Sequence, residues 1–102
     1  MKEYSDEIIE FLVYVKPSKY RQKILISLKD EKLKIPSEIA RDVGVITSHI
    51  SIYLSGLKEK NLIKCINEEA TKGRLYHITE NGKKSIKIYI ILKIVRLLQF
   101  IH

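Results

Sequence analysis

Cysteine is almost absent from this sequence. Cys65 is the single cysteine among 102 residues, so neither an internal disulfide bond nor a multi-cysteine metal cluster can form. This usage is typical of a reducing compartment, and we expect a cytoplasmic protein. The opening segment MKEYSDEIIE holds four acidic residues, one lysine and no apolar core, so we expect no secretory signal peptide.

Acidic residues are scarce in the second half of the chain. Residues 1–50 carry nine Lys/Arg and eight Asp/Glu, whereas residues 51–102 carry ten and four, which gives most of the net charge of +7. A basic half on a small domain favours phosphate backbones or an anionic membrane as partner, and a solvated lysine-rich surface is the alternative. The length favours one domain, residues 1–102.

Two helices are predicted before residue 30. The first spans residues 5–15, with Ser5 as N-cap and acidic residues in its first turn, and Pro17 ends it. Its β-branched and aromatic end is also compatible with a strand. The second spans residues 18–29, where Ser18 can cap the start and apolar residues recur at helical spacing.

Two further helices lie on either side of a short turn. Pro36 suits the first turn of one helix, and Gly44 ends it because glycine adopts the left-handed conformation at no steric cost. Thr47 is predicted as the N-cap of the next helix, which stops at Asn61. Its apolar face consists of Ile50, Tyr53, Leu54 and Leu57.

A β-hairpin and a last helix complete the pattern. Residues 62–66 and 74–78 are short β-prone runs that flank the polar, glycine-containing loop 67–73. Thr79 then caps a helix that runs to the end of the chain. The pattern predicts an α+β, mostly α fold.

The order of these elements resembles an archaeal winged helix-turn-helix transcriptional regulator, similar in layout to the ArsR and MarR groups. The resemblance covers residues 18–85, through PSEIARDVGV, TSHISIYLSGLKEKNLI and INEEATKGRLYHITENGKK. It implies a winged helix-turn-helix with a two-stranded wing and a long C-terminal helix, and it implies binding of double-stranded DNA. The residues on which the resemblance rests are Ile39, Ala40, Gly44, Ile50, Leu54, Leu57, Leu62, Ile63, Gly73, Tyr76, Thr79 and Gly82.

The helix after the turn would enter the major groove with the face opposite Ile50. At 100° per residue, the residues on or beside that face are Ser48, His49, Ser51, Ile52 and Ser55. These are the predicted base contacts. The face carries no Arg, Asn or Gln, which make the strongest side-chain pairs with bases, so much of the affinity is expected from phosphates.

Basic residues elsewhere supply the remaining predicted DNA contacts. By resemblance, the wing residues Lys72, Gly73 and Arg74 reach an adjacent minor groove. The alternative for Arg74 is a cross-strand pair with Glu68 or Glu69. The predicted phosphate contacts are Arg21, Lys58, Lys64, Lys83 and Lys84, and the alternative for each lysine is a solvated side chain.

Catalysis and metal binding are not expected. Ser48 and His49 are successive helical positions and do not face each other, whereas a nucleophile and its base must lie within ~3 Å. Cys65 and His77 are too few for structural zinc, which takes four ligands. We therefore predict no enzyme activity, no metal and no cofactor, and the missing cysteine set makes metal sensing unexpected.

The last helix is apolar on nearly all sides. Residues 86–102 are therefore predicted to be a dimerisation helix; an intramolecular core helix and a helix on a membrane surface are the alternatives. Lys93 and Arg96 interrupt the apolar run, which is too short for a membrane span. The predicted interface consists of Ile90, Ile91, Ile94, Leu97, Leu98 and Ile101.

Together these patterns favour a homodimeric winged-helix protein that binds double-stranded DNA with full or partial sequence specificity and regulates transcription. A winged helix that binds another protein, without reading DNA, is the alternative.

Overall fold

A computed structural model describes residues 5–101. Predictions that concern residues 1–4 or His102 lie outside the described residues. The fold is α+β and mostly helical, a winged helix with a two-stranded wing and a long C-terminal helix. Its elements are α1 (Asp6–Glu10), a π-helical segment (Phe11–Val15), α2 (Lys19–Ser27), α3 (Pro36–Val43), α4 (Thr47–Glu59), β1 (Ile63–Cys65), β2 (Tyr76–Ile78) and α5 (Glu80–Ile101).

Three predicted N-caps are confirmed by side-chain hydrogen bonds. The Ser5 hydroxyl accepts from the N–H of Ile8 at 3.4 Å, and the Ser18 hydroxyl accepts from the N–H of Arg21 at 3.3 Å. The Thr79 hydroxyl accepts from the N–H of Gly82 at 3.0 Å. Each bond satisfies one of the N–H groups that a helix start leaves without a partner. Residues 11–15 are helical, so the alternative prediction of a strand there is wrong.

The turn between α3 and α4 follows the predicted glycine. Pro36 is the first residue of α3, and Gly44 adopts φ of 87° at its end. The start of α4 differs from the prediction, since Thr47 is already helical and Ile46 holds the extended cap conformation. The Ile46 carbonyl accepts from the N–H of His49 at 3.0 Å. Backbone geometry therefore starts α4 without help from the threonine hydroxyl.

The wing sheet has a third participant that the sequence pattern did not reveal. β1 and β2 pair antiparallel, with Ile63 opposite Ile78 and Cys65 opposite Tyr76. Lys34, before α3, exchanges two backbone hydrogen bonds with Tyr76, at 3.2 and 2.9 Å. The wing is thereby joined to the segment between α2 and α3.

The core lies between α2, α3, α4, the sheet and the first turns of α5. Its buried side chains include Phe11, Leu25, Ile39, Leu54 and Ile86. Beyond Tyr89 every residue of α5 to Ile101 is exposed. The dimensions of 50 × 31 × 21 Å show that α5 projects from the packed domain. Within residues 5–101, no helix combines the length and the apolar character that a membrane crossing requires.

Candidate nucleic-acid interface

The outer face of α4 is open to solvent. Ile50, Leu54 and Leu57 are fully buried beneath it, which sets the orientation of the helix. The structure leaves all five predicted base-contact residues exposed, and Ile52 is 73% exposed. These residues are Ser48, His49, Ser51, Ile52 and Ser55. The whole face is therefore accessible from solvent, and its assignment to DNA bases stays a prediction.

Gly56 allows close packing behind this face. A Cβ atom at this position would overlap the hydroxyl of Tyr14. The Arg21 guanidinium lies 3.8 Å from the centre of the Tyr14 ring and donates to the Tyr14 carbonyl at 3.0 Å. The π-helical segment, α2 and α4 thus meet at Tyr14. Arg21, a predicted phosphate contact, is already engaged there.

Asn67 holds the wing loop in its conformation. Its Oδ1 atom accepts from the N–H of Leu75 at 2.8 Å, and its Nδ2 atom donates to the Gly73 carbonyl at 3.2 Å. The thiol of Cys65 also donates to Oδ1, at 3.4 Å. Sequence analysis did not single out Asn67, although asparagine commonly bonds nearby backbone in turns.

Arg74 is directed into the wing loop. Its Nε donates to the Ala70 carbonyl and its Nη2 donates to the Glu68 carbonyl, both at 2.8 Å. Its Nη1 lies 3.7 Å from the Glu68 carboxylate. The alternative interpretation of Arg74, a pair with Glu68, is therefore what the structure contains. Lys72 and Gly73 are exposed on the same loop.

Three predicted phosphate contacts form ion pairs. Lys58 pairs with Glu68 at 3.1 Å, and Lys84 pairs with Glu7 at 3.4 Å. Lys83 contacts two carboxylates, at 2.9 and 3.0 Å. Their hydrogen bonds, first that of Glu31 and then that of Glu80, raise the pKa of Lys83.

Lys64 differs from these lysines. It lies on β1 opposite His77, is exposed, and makes no ion pair with any residue from 5 to 101. Lys64 and Lys72 are therefore two wing lysines that no carboxylate among residues 5–101 pairs with.

The distal part of α5, defined as residues 90–101, is the second candidate interface. The exposed side chains include all six predicted dimer contacts, Ile90, Ile91, Ile94, Leu97, Leu98 and Ile101. A groove beside them is bordered by Phe11, Lys16 and Gln22. A helix with apolar residues on most sides is stable in water only when another surface covers it.

Comparison with known proteins identifies a fold but no family. No protein-family model and no curated protein matches the sequence. The solved structure of Lactococcus lactis ZitR, wild type in complex with DNA, is similar with a TM-score of 0.56 and 19% sequence identity. The similarity covers 96% of this chain and 65% of the ZitR chain, so this chain spans less than two thirds of the length of that one. At this identity the likeness supports the winged-helix fold alone.

Proposed function

We propose that this chain is a dimeric, cytoplasmic protein that binds double-stranded DNA through the outer face of α4 and the wing, and that it regulates transcription. The observation that carries the proposal is the exposed face of α4 next to a wing that presents Lys64 and Lys72 without carboxylate partners among the described residues. The fold is that of ZitR, whose structure contains DNA. In winged helices a helix of this kind fits the major groove.

The composition of the α4 face favours partial sequence specificity. Serine hydroxyls donate or accept and therefore discriminate weakly between bases. His49 can donate to N7 or O6 of a purine, and Ile52 can contact a thymine methyl group. Without Arg, Asn or Gln on the face, phosphate contacts supply most of the affinity. The wing lysines Lys64 and Lys72 are available for that role, since neither pairs with a carboxylate in the described part of the chain.

A second copy of the chain is the proposed cover for distal α5. Two such helices packed about a two-fold axis would cover the same apolar surface on both subunits. The same axis would place two α4 helices on half-sites related by symmetry, as palindromic operators require. Sedimentation velocity in detergent-free buffer tests this directly. We expect twice the chain mass of 11.9 kDa, and a monomer at micromolar concentration would overturn the dimer.

DNA binding is tested by fluorescence anisotropy with a mixed-sequence duplex at several salt concentrations. The logarithm of the affinity should fall linearly with the logarithm of salt, by about 0.9 per phosphate neutralised. Lys72→Ala should weaken binding and reduce that slope by about 0.9. Lys29→Ala is the matched control, because Lys29 is an exposed lysine just after α2, outside α4, the wing and distal α5. No binding at low salt would refute the proposal.

A protein-binding role is the second candidate. It is favoured by the exposed apolar side chains Ile46 and Ile52 at the start and on the outer face of α4, together with the ion-paired state of Lys58, Lys83 and Lys84. Under this function Lys72→Ala would leave capture of a protein partner unchanged, whereas Ile52→Ser would reduce it. Under DNA binding, Lys72→Ala has the larger effect.

A further inference from the structure

The carboxylate of Glu68 lies between the end of α4 and the wing. Lys58 Nζ donates to both carboxylate oxygens at 3.1 Å, and Arg74 Nη1 lies 3.7 Å from one of them. A single anion thus contacts two cations, one from each of the elements assigned above to DNA.

This arrangement resembles the contact that a phosphate group would make. A carboxylate and a phosphate both present acceptor oxygens to lysine and arginine donors. The side chains of Lys58, Glu68 and Arg74 are 35%, 53% and 39% exposed, so a DNA backbone can reach the same cations. Exposed ion pairs contribute little to stability, and the carboxylate can therefore be displaced.

The conformation of the wing does not depend on this carboxylate. Arg74 is anchored by the backbone carbonyls of Glu68 and Ala70, and the loop is closed by the side-chain amide of Asn67. A glutamine at position 68 would keep all of these bonds and remove only the negative charge.

We infer that Glu68 is an intramolecular competitor for DNA phosphate that limits sequence-independent binding. The inference rests on the proposed DNA-binding function. When DNA binds, Lys58 and Arg74 exchange the carboxylate for a phosphate, and the displaced carboxylate stays close to the DNA backbone and repels it. Sequence-independent affinity is thereby reduced, so contacts between α4 and the bases contribute a larger share of the binding free energy.

The test compares Glu68→Gln with Glu69→Gln on a mixed-sequence duplex. The two substitutions change net charge equally, but Glu69 is exposed and has no ion pair within the described residues. Releasing one phosphate contact should tighten binding of Glu68→Gln by about three- to ten-fold and steepen the salt slope by about 0.9, while Glu69→Gln stays within about two-fold of the wild type. Equal effects of the two variants, or weaker binding by Glu68→Gln, would overturn the inference.

A double-mutant cycle with Lys58→Met supplies a second measurement. If Glu68 acts through Lys58, the gain from Glu68→Gln should shrink to below about half when Lys58 is absent, and an undiminished gain would contradict the competition. The wild type separates the two proposals. If the wild type fails to bind DNA at any salt concentration, the proposed function fails; if it binds and the two glutamine variants behave alike, only the role of Glu68 fails.

Discussion

The α4–wing surface, formed by the outer face of α4 and the wing (residues 63–78), and distal α5 are both exposed, but only the first has several polar and charged side chains paired within the chain. Around α4 and the wing, Arg74 and Asn67 are hydrogen-bonded to the loop, and Lys58 is paired with Glu68. On residues 90–101 the surface is largely isoleucine, leucine and phenylalanine, and no element among residues 5–101 covers it.

The difference indicates two kinds of partner. A polar surface with paired charges is stable in water and can exchange its carboxylates for another anion. An apolar surface gains free energy in proportion to the area removed from water, so its partner must be apolar as well. Under the proposed function, the first surface binds DNA reversibly and the second joins two subunits permanently.

The largest expected effect follows from deleting distal α5. A chain that ends at Tyr89 keeps Ile86 and the rest of the core, so it should still fold cooperatively, with a thermal midpoint lowered by the loss of the dimer contacts. It should sediment as a monomer and lose about 100-fold or more in affinity for a palindromic duplex, because two linked half-sites bind far more tightly than one. The point variant Ile94→Glu is the control for the deletion and should give the same monomer. A truncated chain that still dimerises would show that distal α5 is not the dimer interface.

Gly56→Ala tests the packing beneath the polar surface. The new Cβ overlaps the Tyr14 hydroxyl, and a strain of about 1–3 kcal/mol outweighs a gain in helix propensity of about 1 kcal/mol. We expect a net loss of about 1 kcal/mol in the free energy of unfolding, measured by urea denaturation. Tyr14→Phe in the same chain removes the overlapping hydroxyl, since the ring carbon Cζ would lie 3.6 Å from the new Cβ. No recovery in that double variant would contradict the explanation.

Asn67→Ala should loosen the wing while leaving distal α5 unchanged. Loss of the bonds to Leu75 and Gly73 should cost about 1 kcal/mol. Amide hydrogen exchange should quicken at Leu75 in the wing and stay constant at Leu25 in the core. Asn67→Asp is the matched variant, because it keeps the acceptor for Leu75 and replaces the donor to Gly73 with a carboxylate oxygen that repels that carbonyl. Equal protection of Leu75 in all three proteins would show that the loop is held in another way.

The smallest expected effect concerns Asp42 on α3. Its carboxylate binds Lys34, the residue whose backbone pairs with Tyr76 in the wing sheet. A hydrogen bond from Lys34 at 2.8 Å, and then one from Ser27 at 2.7 Å, hold the pKa of Asp42 below its usual 3.8. A lowered pKa means that this pair stabilises the fold above pH 3.8 and that the contribution is lost as the pH falls through the lower, folded-state value.

Because Asp42 is half exposed, the contribution should be under about 1 kcal/mol. Asp42→Asn should therefore lower the thermal midpoint slightly at pH 7, and the difference from wild type should shrink as the pH falls below 3.8. A difference that is constant with pH would rule out the ionised pair as its source.

Features that depend on neighbouring residues were predictable. The N-caps at Ser5, Ser18 and Thr79, and the left-handed ends at Gly44 and Asn61, follow from side chains and backbone within one helical turn. The buried and exposed faces of α4 also followed from the 100° spacing of its residues. These predictions needed no knowledge of what the helices pack against.

Features that depend on residues distant in sequence were not predictable. The contact of Gly56 with Tyr14 spans more than forty positions, and the bridge from Lys34 to Tyr76 spans about as many. The pairing of Lys58 with Glu68 was missed for the same reason, because it depends on how the wing folds back toward α4. The sequence left Arg74 with two interpretations; the geometry of the loop shows that its contact with Glu68 forms, and its role toward DNA stays a prediction.

The sequence by itself determined the order of the elements, the outward face of α4 and the apolar character of the last helix, because local periodicity and capping encode these. Only the tertiary structure decided which charges are free. Lys64 and Lys72 remain uncompensated within the described residues, whereas Arg21, Lys58, Lys83 and Lys84 are engaged by Tyr14 or by carboxylates. The reason is physical, since the charge that a surface presents depends on distances of a few ångströms between side chains that only folding brings together.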